Sequence, residues 1–195
     1  MIISTQDDAR KVAVALQDQI KSGQLEIETR GRKIVIRVKE RGSFSSGSAT
    51  LRPEFFPIMD KIRAALEDIP GKFNVEGHTD DIPISTPRFR SNWDLSSARA
   101  VSVAHELIKS ESLDERRFTV VGYADTRPLV PNSEWRSRAK NRRVEIVVEQ
   151  GNEPPPQQDM IDTGELGDSD LEKLIEELES REQPVQFDFA PDELF

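Results

Sequence analysis

The stretch "LEIETRGRKIVIRVKE", residues 25–40, constrains the fold most strongly. Leu25 and Ile27, then Ile34, Ile36 and Val38, recur at every second position on either side of the polar "RGR". A period of two puts these side chains on one face of an extended chain, and the glycine suits a tight turn, so the segment predicts a two-stranded hairpin. Its apolar face has to be covered by another layer. Candidate covering helices stand on both sides. Residues 5–22 place Val12, Ala15, Leu16, Gln19 and Ile20 near i, i+3, i+4 spacing, with Gly23 as a stop. Pro53 opens a helix through about Glu67, and a third runs from Asp94, read as its N-cap, to about Ser110 with Ala100, Val103, Ala104 and Leu107 on one face.

Three further strands, "KFNVEG", "RRFTVVGYA" and "RRVEIVVE", are interleaved with these helices. Loops are expected at "RGSFSSGSATL", at the 16-residue polar run 78–93, and at "DTRPLVPNSEWRSRAK". A loop as long as 78–93 is uncommon in a compact domain unless it is functional or disordered. The pattern predicts an α/β two-layer domain in which helices cover a small sheet on one face.

After Glu149, "GNEPPPQQ" breaks all regular structure. Charge divides at the same point. Residues 151–195 hold 2 basic and 14 acidic residues, a net −12, which leaves +3 on residues 1–150 out of a total of −9. Low hydrophobicity and like charge predict a disordered acidic tail. Within it, "DSDLEKLIEELESRE" could form a short helix, and "VQFDFAPDELF" concentrates three of the nine phenylalanines, the mark of a docking peptide.

Several function classes are excluded at this level. There is no cysteine, hence no disulfide framework and no zinc–thiolate site, while the redox compartment stays open. No apolar run approaches the ~20 residues of a membrane span, and the N-terminus lacks the basic start and apolar core of a signal peptide. Basic residues form no stripe with interleaved aromatics, so nucleic acid is not an expected partner; "RSRAKNRRVE" reads as a strand flanked by solvated arginines.

The chemistry concentrates in "NVEGHTDDIPI", residues 74–84, where a strand-like run meets His78, Thr79, Asp80 and Asp81. Taken alone, the cluster admits a metal site of His78, Asp80 and Asp81, a catalytic carboxylate pair, or fixed negative charge presented to a cation.

Four motifs in order, "NVEGHTDDIPI", "SNWDLSSARAVSV", "VGYADTRPLVPN" and "AKNRRVEIVV", resemble the OmpA-like peptidoglycan-binding domain. The "TDD" followed by Pro83, the "SNW" and the upstream "RGSFSSGSATLRPEF" narrow the likeness to flagellar motor stator B subunits of the MotB and PomB type. Many anchoring members carry a glycine soon after the Asp; "DDIP" departs from that pattern and fits the stator branch. The resemblance covers most of residues 24–149. It implies a small mixed β-sheet, with residues 1–40 an N-terminal helix and strand extension, 41–150 the OmpA-like domain and 151–195 the tail.

The same resemblance implies a noncatalytic function in which Asp80 and Arg99 grip the diaminopimelate of the peptidoglycan stem peptide, a group carrying both an ammonium and a carboxylate. Carboxylate to ammonium and guanidinium to carboxylate are the matching charge-assisted pairs. Arg99, early in its helix, is expected to lean back toward the 78–93 loop and Asp80. Thr79, Asn92 and Leu95 are implied as loop and helix-start contacts, and Arg142 as a further anion partner. A direct Asp80–Arg99 salt bridge is the bland alternative. Metal binding loses ground because only two histidines occur and no second ligand cluster is evident, and hydrolysis because no nucleophile and base accompany the carboxylates. No cofactor or metal is expected. Implied partners are peptidoglycan, a second copy of the chain, and the ion-channel A subunit, reached through a membrane part outside this chain. Periplasmic localisation follows, with residues 4–23 as a mobile element. A wall-tethering structural protein without a motor role is the competing expectation.

Overall fold

The computed structural model describes residues 2–151. The expected acidic tail, its short helix and its phenylalanine-rich end fall outside these residues.

The hairpin is present. β1 (Leu25–Arg30) and β2 (Lys33–Lys39) pair antiparallel in the register Leu25↔Val38 and Ile27↔Ile36. Gly31 at φ +60° makes the turn, a backbone region that favours glycine. Three more strands, β3 (Lys72–His78), β4 (Phe118–Gly122) and β5 (Arg143–Glu149), complete a five-stranded sheet ordered β1-β2-β5-β3-β4. Only β3 and β4 run parallel; the other pairs are antiparallel, so the sheet is mixed as expected. β5, the last strand of the described residues, therefore inserts at the centre. Residues 1–40 supply two strands of this same sheet, and the described residues form one compact unit.

Alternation sorts the strands into two faces. Ile34, Ile36, Val38, Phe73, Val75, Val144, Ile146 and Val148 enter one core with residues of α1 (Ile2–Ala15), α4 (Phe56–Leu66) and α5 (Asn92–Ile108). The opposite face carries a charged lattice. Arg37 donates to Glu145 at 3.0 Å, to Glu26 at 2.9 Å and to Glu28 at 3.0 Å, and Arg143 donates to Glu145 at 2.8 Å.

The helices depart from expectation at their ends. The first breaks at Leu16 into α1 and α2 (Gln17–Lys21), with Gly23 at φ +74° stopping it as read; Val12 and Leu16 are fully buried while Ala15 is exposed. Asp94 is not the N-cap of α5. Ser91 holds that position, and Asp94 lies in the first turn, accepting from the Arg90 backbone N–H at 2.9 Å and from its Nε at 3.1 Å. Two expected loops contain further local structure: a turn, α3 (Glu40–Ser43), whose Arg41 and Gly42 are not helical in backbone, and a helix, α6 (Trp135–Asn141).

Candidate functional site

The strand β3, the 79–91 loop, α5 and β4 form a β-α-β unit, which brings the loop after β3, the start of α5 and the loop after β4 to one end of the sheet. Glycine makes the assembly close. A Cβ on Gly77 would lie 1.9 Å from the Ser96 carbonyl oxygen, and one on Gly122 would lie 2.1 Å from Ser97 Oγ. The first turns of α5 therefore rest directly on the ends of β3 and β4. Ser96 Oγ accepts from the Ala124 N–H at 3.0 Å, and the Ala124 carbonyl accepts from the Thr79 N–H at 2.8 Å, which ties the two loops together through the helix.

A cleft of about 810 Å³ opens at this end, and Thr79, Asp80, Asn92, Leu95, Arg99 and Arg142 all line it. Glu40, Phe44, Ile82, Pro83 and Trp135 complete the wall that matters here. The 78–93 loop is ordered. Asp80 is 6 % exposed, and its Oδ1 accepts from the Ile82 N–H at 3.1 Å, so the aspartate folds its own loop back. Asn92 donates to the carbonyls of Asp80 at 3.3 Å and Ile82 at 3.0 Å, and Thr79 Oγ1 donates to the Asp80 carbonyl at 2.9 Å. Thr79 and Asn92 thus set the loop, while Leu95 is buried with Ala49 and Phe89 beneath it.

The charged pairs are not the direct Asp80–Arg99 salt bridge of the bland alternative. Asp80 Oδ2 accepts from Arg142 Nη1 at 2.7 Å, not from Arg99. Arg99 turns to the 40–48 segment instead: Nη2 donates to Glu40 at 2.6 Å, Nε to the Ser48 carbonyl at 2.8 Å, and the guanidinium lies 5.2 Å from the Phe44 ring centroid. The reason is physical: Arg99 is 1 % exposed, and a buried guanidinium needs an anion and several acceptors at once, which Glu40 and the 45–48 carbonyls supply. Arg142 also bonds the second Glu40 oxygen. The result is an unbroken alternation, Arg99–Glu40–Arg142–Asp80, along one wall. Burial lowers the Arg142 pKa, but its bonds to Asp80 and Glu40 outweigh this and raise it above the ordinary value. Arg99 Nη1 makes no hydrogen bond among the described residues, which leaves that one nitrogen with donor capacity to spare.

Sequence reasoning missed Glu40, Trp135 and Asn141. Asn141, fully buried, accepts from the N–H groups of Leu129 and Val130 and donates to the Val130 carbonyl and Asn132, so it pins the 129–132 loop to the end of α6, one residue before Arg142. Of the sequence-level metal set, Asp81 is exposed and His78 points away from the cleft floor into a stack with Tyr123 at 5.3 Å. Both His78 nitrogens are buried without a hydrogen-bond partner. A Glu76, His78 and Glu145 grouping has ligand-like spacing, but the Glu145 carboxylate already accepts from Arg37 and Arg143, which compete with any cation there.

Comparison with known proteins places this geometry. The chain is 37 % identical over 139 residues to the uncharacterised protein YtxE of Bacillus subtilis, covering 71 % of this chain and 57 % of that one. It is 36 % identical over 134 residues to Motility protein B of the same organism, covering 68 % and 51 %. The chain thus spans little more than half the length of these relatives. Among solved structures, the cell wall anchor of the T6SS from Pseudomonas aeruginosa superposes with a TM-score of 0.67 at 40 % identity, covering 72 % of this chain and 97 % of that one. Among the described residues no helix is long and apolar enough to cross a membrane. The OmpA family model matches residues 43–142, a span that runs from the α3 turn through Arg142 and contains every cleft residue of the charged wall except Glu40: the chain belongs to the OmpA family.

Proposed function

We propose that the cleft binds the peptidoglycan stem peptide at its diaminopimelate, and that the domain is a noncatalytic anchor holding a flagellar motor stator to the wall. The observation that carries this reading is the alternating wall Arg99–Glu40–Arg142–Asp80, which presents both signs of charge side by side in a partly desolvated setting. An incoming ammonium takes Asp80 from Arg142. The released guanidinium receives the carboxylate in fork geometry, with Arg99 Nη1 as a further donor. One ion pair is exchanged for two, and no buried charge is left alone. Because Asp80 is already held by its own loop, little ordering cost remains for binding.

Charge-assisted contacts of about 1.5–3 kcal/mol each, before the costs of association, give one domain modest affinity. Firm anchoring then requires several grips on one polymer. A homodimer supplies them through effective concentration. The stator reading adds an ion-channel A subunit as partner, engaged by a membrane segment outside this chain, and puts the domain between membrane and wall. It also makes residues 4–23 a mobile element, whose release would draw Val12 and Leu16 out of the core. Cross-linking α1 to the core is then expected to abolish motility while sparing folding, and normal motility with the cross-link intact refutes the idea.

The central test is co-sedimentation with purified peptidoglycan of the native chain, Asp80→Ala, Arg99→Ala and Arg99→Lys, with circular dichroism to confirm folding. Loss of sedimentation in the folded variants is expected. Unchanged binding for both Asp80→Ala and a folded Arg99 variant removes the site, and release of soluble muropeptides contradicts a binding-only role. A second reading, a wall anchor with no motor role, draws on the 40 % identity to the T6SS cell wall anchor. Complementation of a stator-deficient strain by the full-length protein separates the two.

A further inference from the structure

Trp135 opens α6 at the cleft rim and is 64 % exposed, and Ile82, on the facing loop, is 56 % exposed. Single exposed aliphatic residues are ordinary, but an indole left in water beside a second exposed apolar group at the mouth of a charged cleft is not. Trp135, Ala139 and Arg142 follow i, i+4, i+7 spacing and all line the cleft, so one side of α6 carries an aromatic ring at one end and the charged wall at the other. Ala139 between them leaves the indole unshielded. Arg136, which does not line the cleft, sits over the ring at 5.1 Å from its centroid, while Trp135 itself lines the cleft.

We infer that Trp135 is a platform for a sugar ring, the glycan subsite of the cleft, with Ile82 as its opposite lip. This rests on the peptidoglycan reading above and extends it from peptide to saccharide. A pyranose presents a flat patch of C–H groups ringed by hydroxyls, and an aromatic face covers that patch while the hydroxyls stay in water. Trp135 and Arg142 lie seven positions apart, at ~1.5 Å per helical residue roughly 10 Å, so a ligand whose charged end sits at Asp80 and Arg142 and which extends that far along the wall reaches the rim where Trp135 stands. The cleft, at about 810 Å³, has room for both, whereas a single zwitterionic end group would leave most of it empty.

The test compares two soluble ligands by calorimetry: a disaccharide-tripeptide muropeptide, and the same tripeptide without sugar. For the native chain, the muropeptide is expected to bind more tightly. Trp135→Ala is expected to weaken the muropeptide about three- to tenfold and to leave the free tripeptide unchanged, with Trp135→Tyr retaining most of the difference. Equal native affinity for the two ligands overturns the platform alone, as does an equal loss on both in Trp135→Ala or a ligand-free change of oligomeric state in that variant. A native chain that binds neither ligand overturns the peptide reading and the platform together.

Discussion

Gly77 and Gly122 stand opposite each other across the parallel pair β3 and β4, and both touch α5 so closely that neither position has room for a side chain. The nearest atom to a Cβ on Gly77 is a backbone oxygen, which cannot swing aside. Gly77→Ala is expected to cost about 3 kcal/mol, the upper end for overpacking, and Gly122→Ala a similar amount, because the Ser97 backbone nitrogen would stand 2.7 Å from its Cβ even with Ser97 Oγ turned aside. Denaturant midpoints measure both. Because α5 carries Asn92, Leu95 and Arg99, peptidoglycan binding should fall alongside stability.

Glu40 is the anion that a nearly inaccessible Arg99 depends on, and it holds Arg142 as well. Glu40→Gln keeps the shape and removes the charge. Stripping one partner from a buried ion pair costs about 3 kcal/mol at the low end, which chemical denaturation at pH 7 would register. Restoring an acid with Glu40→Asp should recover part of the loss.

Burial pushes the His78 imidazole below its ordinary 6.5, the 3.8 Å approach of Glu76 notwithstanding. The unfolded chain therefore takes up the proton first as pH drops through about 6.5, and stability, full above that value, declines on acidification. His78→Phe keeps the stack on Tyr123 and removes two unpartnered nitrogens. Its melting temperature is expected to match or exceed that of the native chain at pH 7, and to lose the decline between pH 6.5 and 5.

On the open face, Arg30 above all, joined by Arg37, holds the Glu28 carboxyl at about 2 against an ordinary 4.5. For Glu145, burial opposes ionisation, but Arg143 and Arg37 overcome it and lower its pKa. Both carboxylates stay charged in the folded state after their unfolded counterparts have protonated, so stability present above pH 4.5 is lost on acidification, for Glu28 as pH falls toward about 2. Arg37→Met should lower stability at neutral pH and flatten this acid limb in a pH series of urea melts.

Asn141→Ala removes the side chain on which the backbone of Leu129 and Val130 depends, and leaves those half-buried groups without that partner. A loss of about 1–3 kcal/mol is expected. Limited proteolysis should show earlier cleavage within residues 129–132.

How much of this could be read in advance followed the range of the interactions. The hairpin was legible because period-two alternation is local, and its register Ile27↔Ile36 follows once the turn is at Gly31. The six cleft residues were named through motifs and do line one cavity, yet the ion pairs they make were not legible. Arg99 meets Glu40 across 59 residues and Arg142 meets Asp80 across 62, and no local pattern encodes which acid wins a given arginine. The seven residues of α6 lack an apolar stripe, and so short a helix exists only through its tertiary contacts, Asn141 among them. Glu40 looked like the last charge of a strand; its position became meaningful only when β2 was laid beside β5, where the Glu40 N–H donates to the Arg142 carbonyl at 3.1 Å.

If the cleft anchors the chain as proposed, the place of β5 at the centre of the sheet also decides how a load on it is carried. Asp80 hangs from the C-terminal end of β3 and Arg142 from the N-terminal end of β5, and these strands are antiparallel neighbours, so both jaws emerge at the same border. A pull on anything held between them draws β3 and β5 the same way, as one unit. It does not unzip that pair. The load passes sideways into the ladders with β2 and β4, where hydrogen bonds resist sliding together instead of parting one after another.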